Sequence, residues 1–109
     1  GQIWVVTDGV FSMEGSIGDL RAMRAMCDQY SAMLVVDDSH GHGVMGTLGR
    51  GTHEHFGMID PLGAPPAEQG RVDIFTGTLG KALGGGAGGF VAGPQRVIDL
   101  IVQRGRPTL

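Results

Sequence analysis

Thr76-Gly77-Thr78-Leu79-Gly80-Lys81-Ala82-Leu83-Gly84-Gly85-Gly86-Ala87-Gly88-Gly89 decides how this chain is read. One lysine, Lys81, sits in it with almost no side-chain bulk on either side. Residues 72–76 lead in and Gly89-Phe90-Val91-Ala92 leads out, both with the composition of strands. Glycine permits positive φ and close approach of a ligand, so the loop leaves room for something large against the amine. Lysine forms Schiff bases with carbonyl compounds once desolvation or a neighbouring charge lowers its pKa. Lys81 is therefore read as the anchor of a pyridoxal cofactor, and the rest of the chain as the wall around it. Taken alone it would be a solvated surface lysine, as most lysines are.

Two phosphate-loop readings fail on the letters. A Walker A loop needs a glycine where Phe75 stands and a Ser or Thr where Ala82 stands. Gly84-x-Gly86-x-x-Gly89 matches the dinucleotide fingerprint formally, but it opens an apolar, strand-like run instead of a helix.

The 109 residues carry a net charge of −3, and 41% are hydrophobic. That suits one domain or part of one, with a buried core. Glycine, at 21 residues, is far above average usage but is not periodic, which excludes a collagen. Mild acidity argues against nucleic-acid and membrane-surface partners, and no apolar run approaches membrane-spanning length. The single cysteine, Cys27, cannot form an internal disulfide. It reads as a small core residue, and its solitude fits a reducing cytoplasm.

Around the lysine loop the chain alternates strand and helix. Residues 3–6, Ile-Trp-Val-Val, form an apolar run that predicts a strand buried on both faces. A loop through Val10-Phe11-Ser12-Met13-Glu14-Gly15 follows. Residues 19–30 predict a helix whose inner face carries Leu20, Met23, Met26 and Cys27, with Arg21 and Arg24 elsewhere. Residues 33–36 predict the next strand, and strand–helix–strand implies a parallel pair joined by a right-handed crossover. Residues 37–50 form a glycine-punctuated loop, and 51–56 read as a short helical turn. Residues 58–70, with Pro61, Pro65 and Pro66, read as an exposed insertion. Pro94 predicts the first turn of a last helix, with Val97, Ile98, Ile101 and Val102 buried.

Asp37-Asp38-Ser39-His40 is the second informative stretch, placed directly after a buried strand. Ligands in open α/β sheets bind at such carboxyl ends. A carboxylate there costs free energy unless it meets a positive partner. A pyridinium nitrogen would be one, and the acid would keep the ring protonated and electron-withdrawing. His40 could lie over the ring edge and donate to its phenolic oxygen. Read without the lysine, Asp37 caps a turn and His40 is a surface residue.

Four motifs in order carry a resemblance over nearly the whole chain: Thr7-Asp8-Gly9-Val10-Phe11-Ser12-Met13-Glu14-Gly15, Val36-Asp37-Asp38-Ser39-His40, Gly49-Arg50-Gly51-Thr52 and Gly77-Thr78-Leu79-Gly80-Lys81-Ala82-Leu83-Gly84-Gly85. Together they resemble the α-oxoamine synthases, a group of fold type I pyridoxal 5'-phosphate (PLP) enzymes. The resemblance implies an α/β fold, part of a large domain with a mostly parallel sheet flanked by helices. It implies that Lys81 joins the cofactor covalently and shuttles the substrate α-proton, that Asp37 pairs with the pyridine nitrogen, and that His40 contacts the phenolic oxygen. It places Ser12 and Thr78 in the cofactor site, Thr78 near the phosphate.

Residues 75–79 and 50–54 look most like those members that join glycine to acetyl-CoA, giving 2-amino-3-oxobutanoate and CoA. The alternative is another α-oxoamine synthase, such as one making 8-amino-7-oxononanoate for biotin. The resemblance further implies a cytoplasmic homodimer using a small amino acid and an acyl-CoA. It makes residues 1–109 a central piece of the large domain, inactive when isolated, with an N-terminal segment and a C-terminal small domain outside it. Three departures stand out: Glu14 for the usual aspartate, His42 at a position more often small or β-branched, and the length of 58–70.

A class I aminotransferase generally has Tyr three residues after the pyridine acid and Arg shortly after the lysine. This chain has His40, and no arginine between Lys81 and Arg96. A metal-binding module, with His40, His42, His53, His55 and the two aspartates as ligands, is the alternative of a different kind; the two His-x-His pairs fall in loop-like sequence, without helical i, i+4 spacing.

Overall fold

Asp19 starts the first helix in the computed structural model, which describes residues 1–59 and 71–105. Its carboxylate accepts from the Ala22 N–H at 3.0 Å, satisfying one of the donors a helix start leaves without a partner. In chain order the elements are β1 (Trp4–Asp8), α1 (Leu20–Gln29), β2 (Met33–Asp37), α2 (Thr52–His55), β3 (Ile74–Thr78), β4 (Gly89–Ala92) and α3 (Gln95–Arg104). The strands form one sheet in the order β1-β2-β3-β4. The pairs β1–β2 and β2–β3 are parallel, and β4 returns antiparallel to β3.

The core lies on one face of this sheet. Leu20 and Cys27 from α1 meet Leu34 and Val36 from β2, with Ala32, Met58 and Val72 closing the cluster. Leu20, Cys27, Leu34 and Val36 are fully buried, each large aliphatic contributing about 1.5–3 kcal/mol by leaving water. The expectation of a small core cysteine holds, and burial pushes the Cys27 thiol up from its ordinary value.

Three expectations about burial need correction. The first strand is not buried on both faces: Ile3, Trp4 and Val6 are 53%, 50% and 69% exposed. Among the described residues β1 is an edge strand, and only the face toward α1 is covered. On α1, Met26 is exposed while Arg24 is buried. The guanidinium has partners in every direction: Asp28 at 2.9 Å, Asp73 Oδ2 at 2.7 Å, and the Arg71 and Ala32 carbonyls at 3.1 Å. A charge can be buried only when paired and hydrogen-bonded in this way. The inner face predicted for α3 is not buried either; no α3 residue is, and Leu100, Ile101 and Val102 are all exposed.

The boundaries moved for reasons that can be named. β3 starts at Ile74, later than residue 72, because the Asp73 side chain takes the Leu34 N–H at 2.7 Å in place of a backbone rung. Pro94 caps α3 from just outside the helix. Of the predicted insertion at 58–70, residues 60–70 lie outside the described residues.

Candidate functional site

The parallel strands end in one row. Asp8, Asp37 and Thr76 are register partners across β1, β2 and β3, and Val91 of β4 continues the row. Residues opposite one another in a sheet share a face, so the Asp37 carboxylate and the Thr76 hydroxyl look out on the same side. This is the carboxyl edge of the parallel strands, where α/β sheets hold ligands.

Asp37 is half-buried. Burial alone would raise its pKa. The Ser39 hydroxyl and N–H, the Thr76 hydroxyl and the charge of Lys81 outweigh it, and the carboxyl sits below its usual 3.8. The Ser39 N–H donates to Asp37 Oδ1 at 3.0 Å. Asp37 does cap its own turn, as its bland reading had it, yet it also feels the lysine. Among the described residues no cation pairs directly with it. An ionised, partly desolvated carboxylate served by neutral donors is the donor set that a protonated ring nitrogen completes.

His40 lies half-buried in the turn that follows. The Asp38 carbonyl anchors that turn, accepting from the Gly41 N–H at 3.1 Å and the His42 N–H at 2.8 Å. Lys81 is exposed, in the loop 79–88 between β3 and β4. That loop is drawn shut at its base. Leu79 N–H donates to the Gly88 carbonyl at 3.0 Å, and Thr78 Oγ1 donates to the same oxygen at 3.0 Å. Thr78 therefore serves the loop first, and its hydroxyl also accepts weakly from Gly80 N–H. Leu83 packs into the notch left by Gly43, whose φ of 88° a side chain would rarely adopt. This contact seats the lysine loop on the segment that follows His40.

Ser12 stands apart. It is exposed in a separate hollow of about 340 Å³ with Asp8, Phe11, Met13 and Glu14. The structure thus brings together Asp37, Ser39, Thr76 and the charge of Lys81, places His40 on the adjoining turn, and leaves Ser12 at the end of β1.

A cavity of about 210 Å³ is lined by Asp38, His42, Arg50, His53, Phe75 and Phe90, and by Thr76 from the row itself. His42, the departure from the family pattern, meets Phe90 edge-on with centroids 5.0 Å apart. His53 packs on Phe75 at 4.3 Å, and its buried Nδ1 has no hydrogen-bond partner among the described residues. Burial depresses the His53 pKa below its ordinary 6.5, against the pull of Asp38 and Glu54. Among the described residues no three His, Cys, Asp or Glu side chains converge to hold a metal ion.

Sequence reasoning named Asp38 beside Asp37 and as a candidate metal ligand, and missed its part in the packing. Strand alternation sends consecutive side chains to opposite faces, so Asp38 points away from Asp37. It is 3% exposed and binds Thr52, which is fully buried. Three glycines, Gly9, Gly41 and Gly51, stand where a Cβ would strike its carboxylate, a relation that spacing in the sequence does not reveal. The phosphate-loop motifs are settled by topology, because Gly89 opens β4 and no helix follows the loop.

The model of the class I and II aminotransferase family matches residues 1–109. The 2-amino-3-ketobutyrate coenzyme A ligase of Escherichia coli (strain K12) is 46% identical over 98% of this chain and 24% of its own length. The 8-amino-7-oxononanoate synthase of Anaeromyxobacter sp. is 48% identical over 94% of this chain and 23% of its own. Among solved structures, the serine palmitoyltransferase of Sphingomonas wittichii superposes with TM-score 0.76 at 32% identity, covering 94% of this chain and 23% of that one. The chain thus spans about a quarter of the length of the curated relatives it matches. These relatives are α-oxoamine synthases, and the solved structures among them share this mostly parallel α/β fold. The chain belongs to the class I and II aminotransferase family, on its α-oxoamine synthase branch.

Proposed function

We propose that the full-length protein is a PLP-dependent acyltransferase that joins glycine to acetyl-CoA, forming 2-amino-3-oxobutanoate and releasing CoA. The observation that carries this is the placement of Asp37 at the sheet's carboxyl edge, in register with Thr76 and held by the Ser39 N–H, one strand away from the loop that carries Lys81. Structures titled as serine palmitoyltransferase with PLP, 33% identical to this chain, support the same cofactor.

When bound, PLP withdraws electrons from the amino acid's α-carbon and so makes its proton removable. The chain's own groups do the rest. Asp37 would hold a proton at the ring nitrogen; its carboxyl, below the usual 3.8, is anionic in the neutral range as that pairing requires. Ser39 and Thr76 orient that carboxylate through hydrogen bonds. Lys81 Nζ, exposed on a loop of small residues, anchors the cofactor and takes and returns the α-proton. His40 would donate to the ring's phenolic oxygen and Thr78 would lie near the phosphate, while Ser12, in its separate hollow at the end of β1, would reach the cofactor from the far side of the row. The working unit is a cytoplasmic homodimer.

Reductive trapping with borohydride, followed by peptide mapping, tests the anchor: the label lands on Lys81, and a label elsewhere refutes the assignment. A second reading, 8-amino-7-oxononanoate synthase, draws on relatives of that name at 45–48% identity. Turnover with acetyl-, pimeloyl-, succinyl- and palmitoyl-thioesters separates the two, with acetyl-CoA expected to win.

A further inference from the structure

Asp38 does a different job from its neighbour. Its Oδ2 accepts from the Thr52 N–H at 2.8 Å and its Oδ1 from the Thr52 hydroxyl at 2.6 Å. Its own N–H donates to the Thr76 carbonyl at 2.9 Å, and its carbonyl holds the turn that carries His40. Around the carboxylate stand Gly9, Gly41 and Gly51, each so near that a Cβ would collide with a carboxylate oxygen. Gly9 also donates to the Asp37 carbonyl at 2.8 Å. Asp38 thus ties the start of α2 through its side chain, and β3 and the His40 turn through its backbone, while Gly9 at the start of the β1–α1 loop packs against its carboxylate. Stripping a buried carboxylate of a donor costs about 1–3 kcal/mol or more, so both Thr52 hydrogen bonds steady this junction.

Resting on the cofactor assignment above, we infer that the Asp38–Thr52 pair is a positioning device, setting how Asp37 and His40 are presented to the cofactor without touching it. Asp37 and Asp38 are adjacent in the chain and face opposite sides of the sheet, so a displaced Asp38 swings Asp37 with it. The pair acts on cofactor affinity and on the electronic state of the bound ring, not merely on folding.

The test uses the full-length protein, with PLP titrated into the apo form and the pH dependence of the bound cofactor's visible absorbance recorded. Thr52→Val keeps the shape and removes the hydroxyl donor; Thr52→Ser restores it. The inference expects Thr52→Val to bind PLP about tenfold more weakly, corresponding to one lost hydrogen bond to a buried charge. It also expects the pH of the absorbance change to move, and Thr52→Ser to recover both. Should Thr52→Val prove unfolded by circular dichroism, Asp38→Asn is read in the same titration. A folded Thr52→Val, or failing that Asp38→Asn, with wild-type affinity and an unmoved pH profile overturns the inference while the cofactor assignment stands. A wild-type chain that takes up no PLP overturns the assignment and the inference with it.

Discussion

The two loops that meet at the carboxyl edge of the sheet are built in opposite ways. The segment 38–51 is interlocked: the buried Asp38 carboxylate grips Thr52, and Glu54 accepts from the Leu48 and Arg50 N–H groups at 2.9 and 2.8 Å. The loop 79–88 is closed at its base by Leu79, Thr78 and Gly88, yet each of its residues is exposed. The acid side of the site is thus set by the protein's own packing, whereas the lysine side has few internal contacts to hold it. That division suits the roles proposed above, in which Asp37 stays put and Lys81 moves a proton.

The contrast can be broken at four points. Lys81→Arg keeps the charge but cannot condense with a carbonyl, so turnover of the full-length enzyme should fall by about 10²–10⁴-fold or more, and borohydride labelling should vanish. Gly41→Ala puts a methyl against the Asp38 carboxylate and the Thr52 hydroxyl, and overpacking of this kind costs about 1–3 kcal/mol, measurable by urea unfolding. Next comes the His53 effect. Its folded pKa lies below the ordinary 6.5, so the unfolded chain binds the proton first. The stability contribution is whole above 6.5 and shrinks as pH falls toward the depressed folded value. His53→Gln should flatten that part of the stability–pH curve. The smallest effect belongs to Gly85→Ala in the lysine loop, where the nearest atom to a new Cβ is the Leu83 carbonyl oxygen at 3.8 Å. It should be neutral or stabilise by up to about 1 kcal/mol. If Gly85→Ala cost as much as Gly41→Ala, the contrast between a built loop and an open one would fail.

What the letters revealed divides along the same line. The strands, the first helix and the row containing Asp37 were legible because each rests on local pattern: an apolar run, a 3.6-residue stripe, an acid at a strand end. Burial was not, since it depends on what packs from afar. α1 and α3 are both ten-residue amphipathic helices, yet α1 buries Leu20, Arg24 and Cys27 and α3 buries nothing. Arg24 looked like a surface charge because its partners Asp73 and the Arg71 carbonyl lie far along the chain. Asp38 was overshadowed by Asp37 for the same reason: its partner Thr52 and the glycine at position 9 cannot be paired by spacing alone. In the site, Thr78 was legible as a residue of the lysine loop but not as its clasp, which required knowing that Gly88 returns to meet it.

The reversal of direction at β4 bears on how this site is assembled in time. Thr78 pairs with Gly89 across only the loop between them, while Val35 must find Ile74 across residues 36–73. Closing a short loop costs less chain entropy than a long one, and local pairings form sooner. The hairpin that carries Lys81 can therefore zip before the strand that carries Asp37 has docked beside it. The loop of Lys81 takes shape while Asp37 is still searching for its place, and the carboxyl edge is completed by the slower, long-range event.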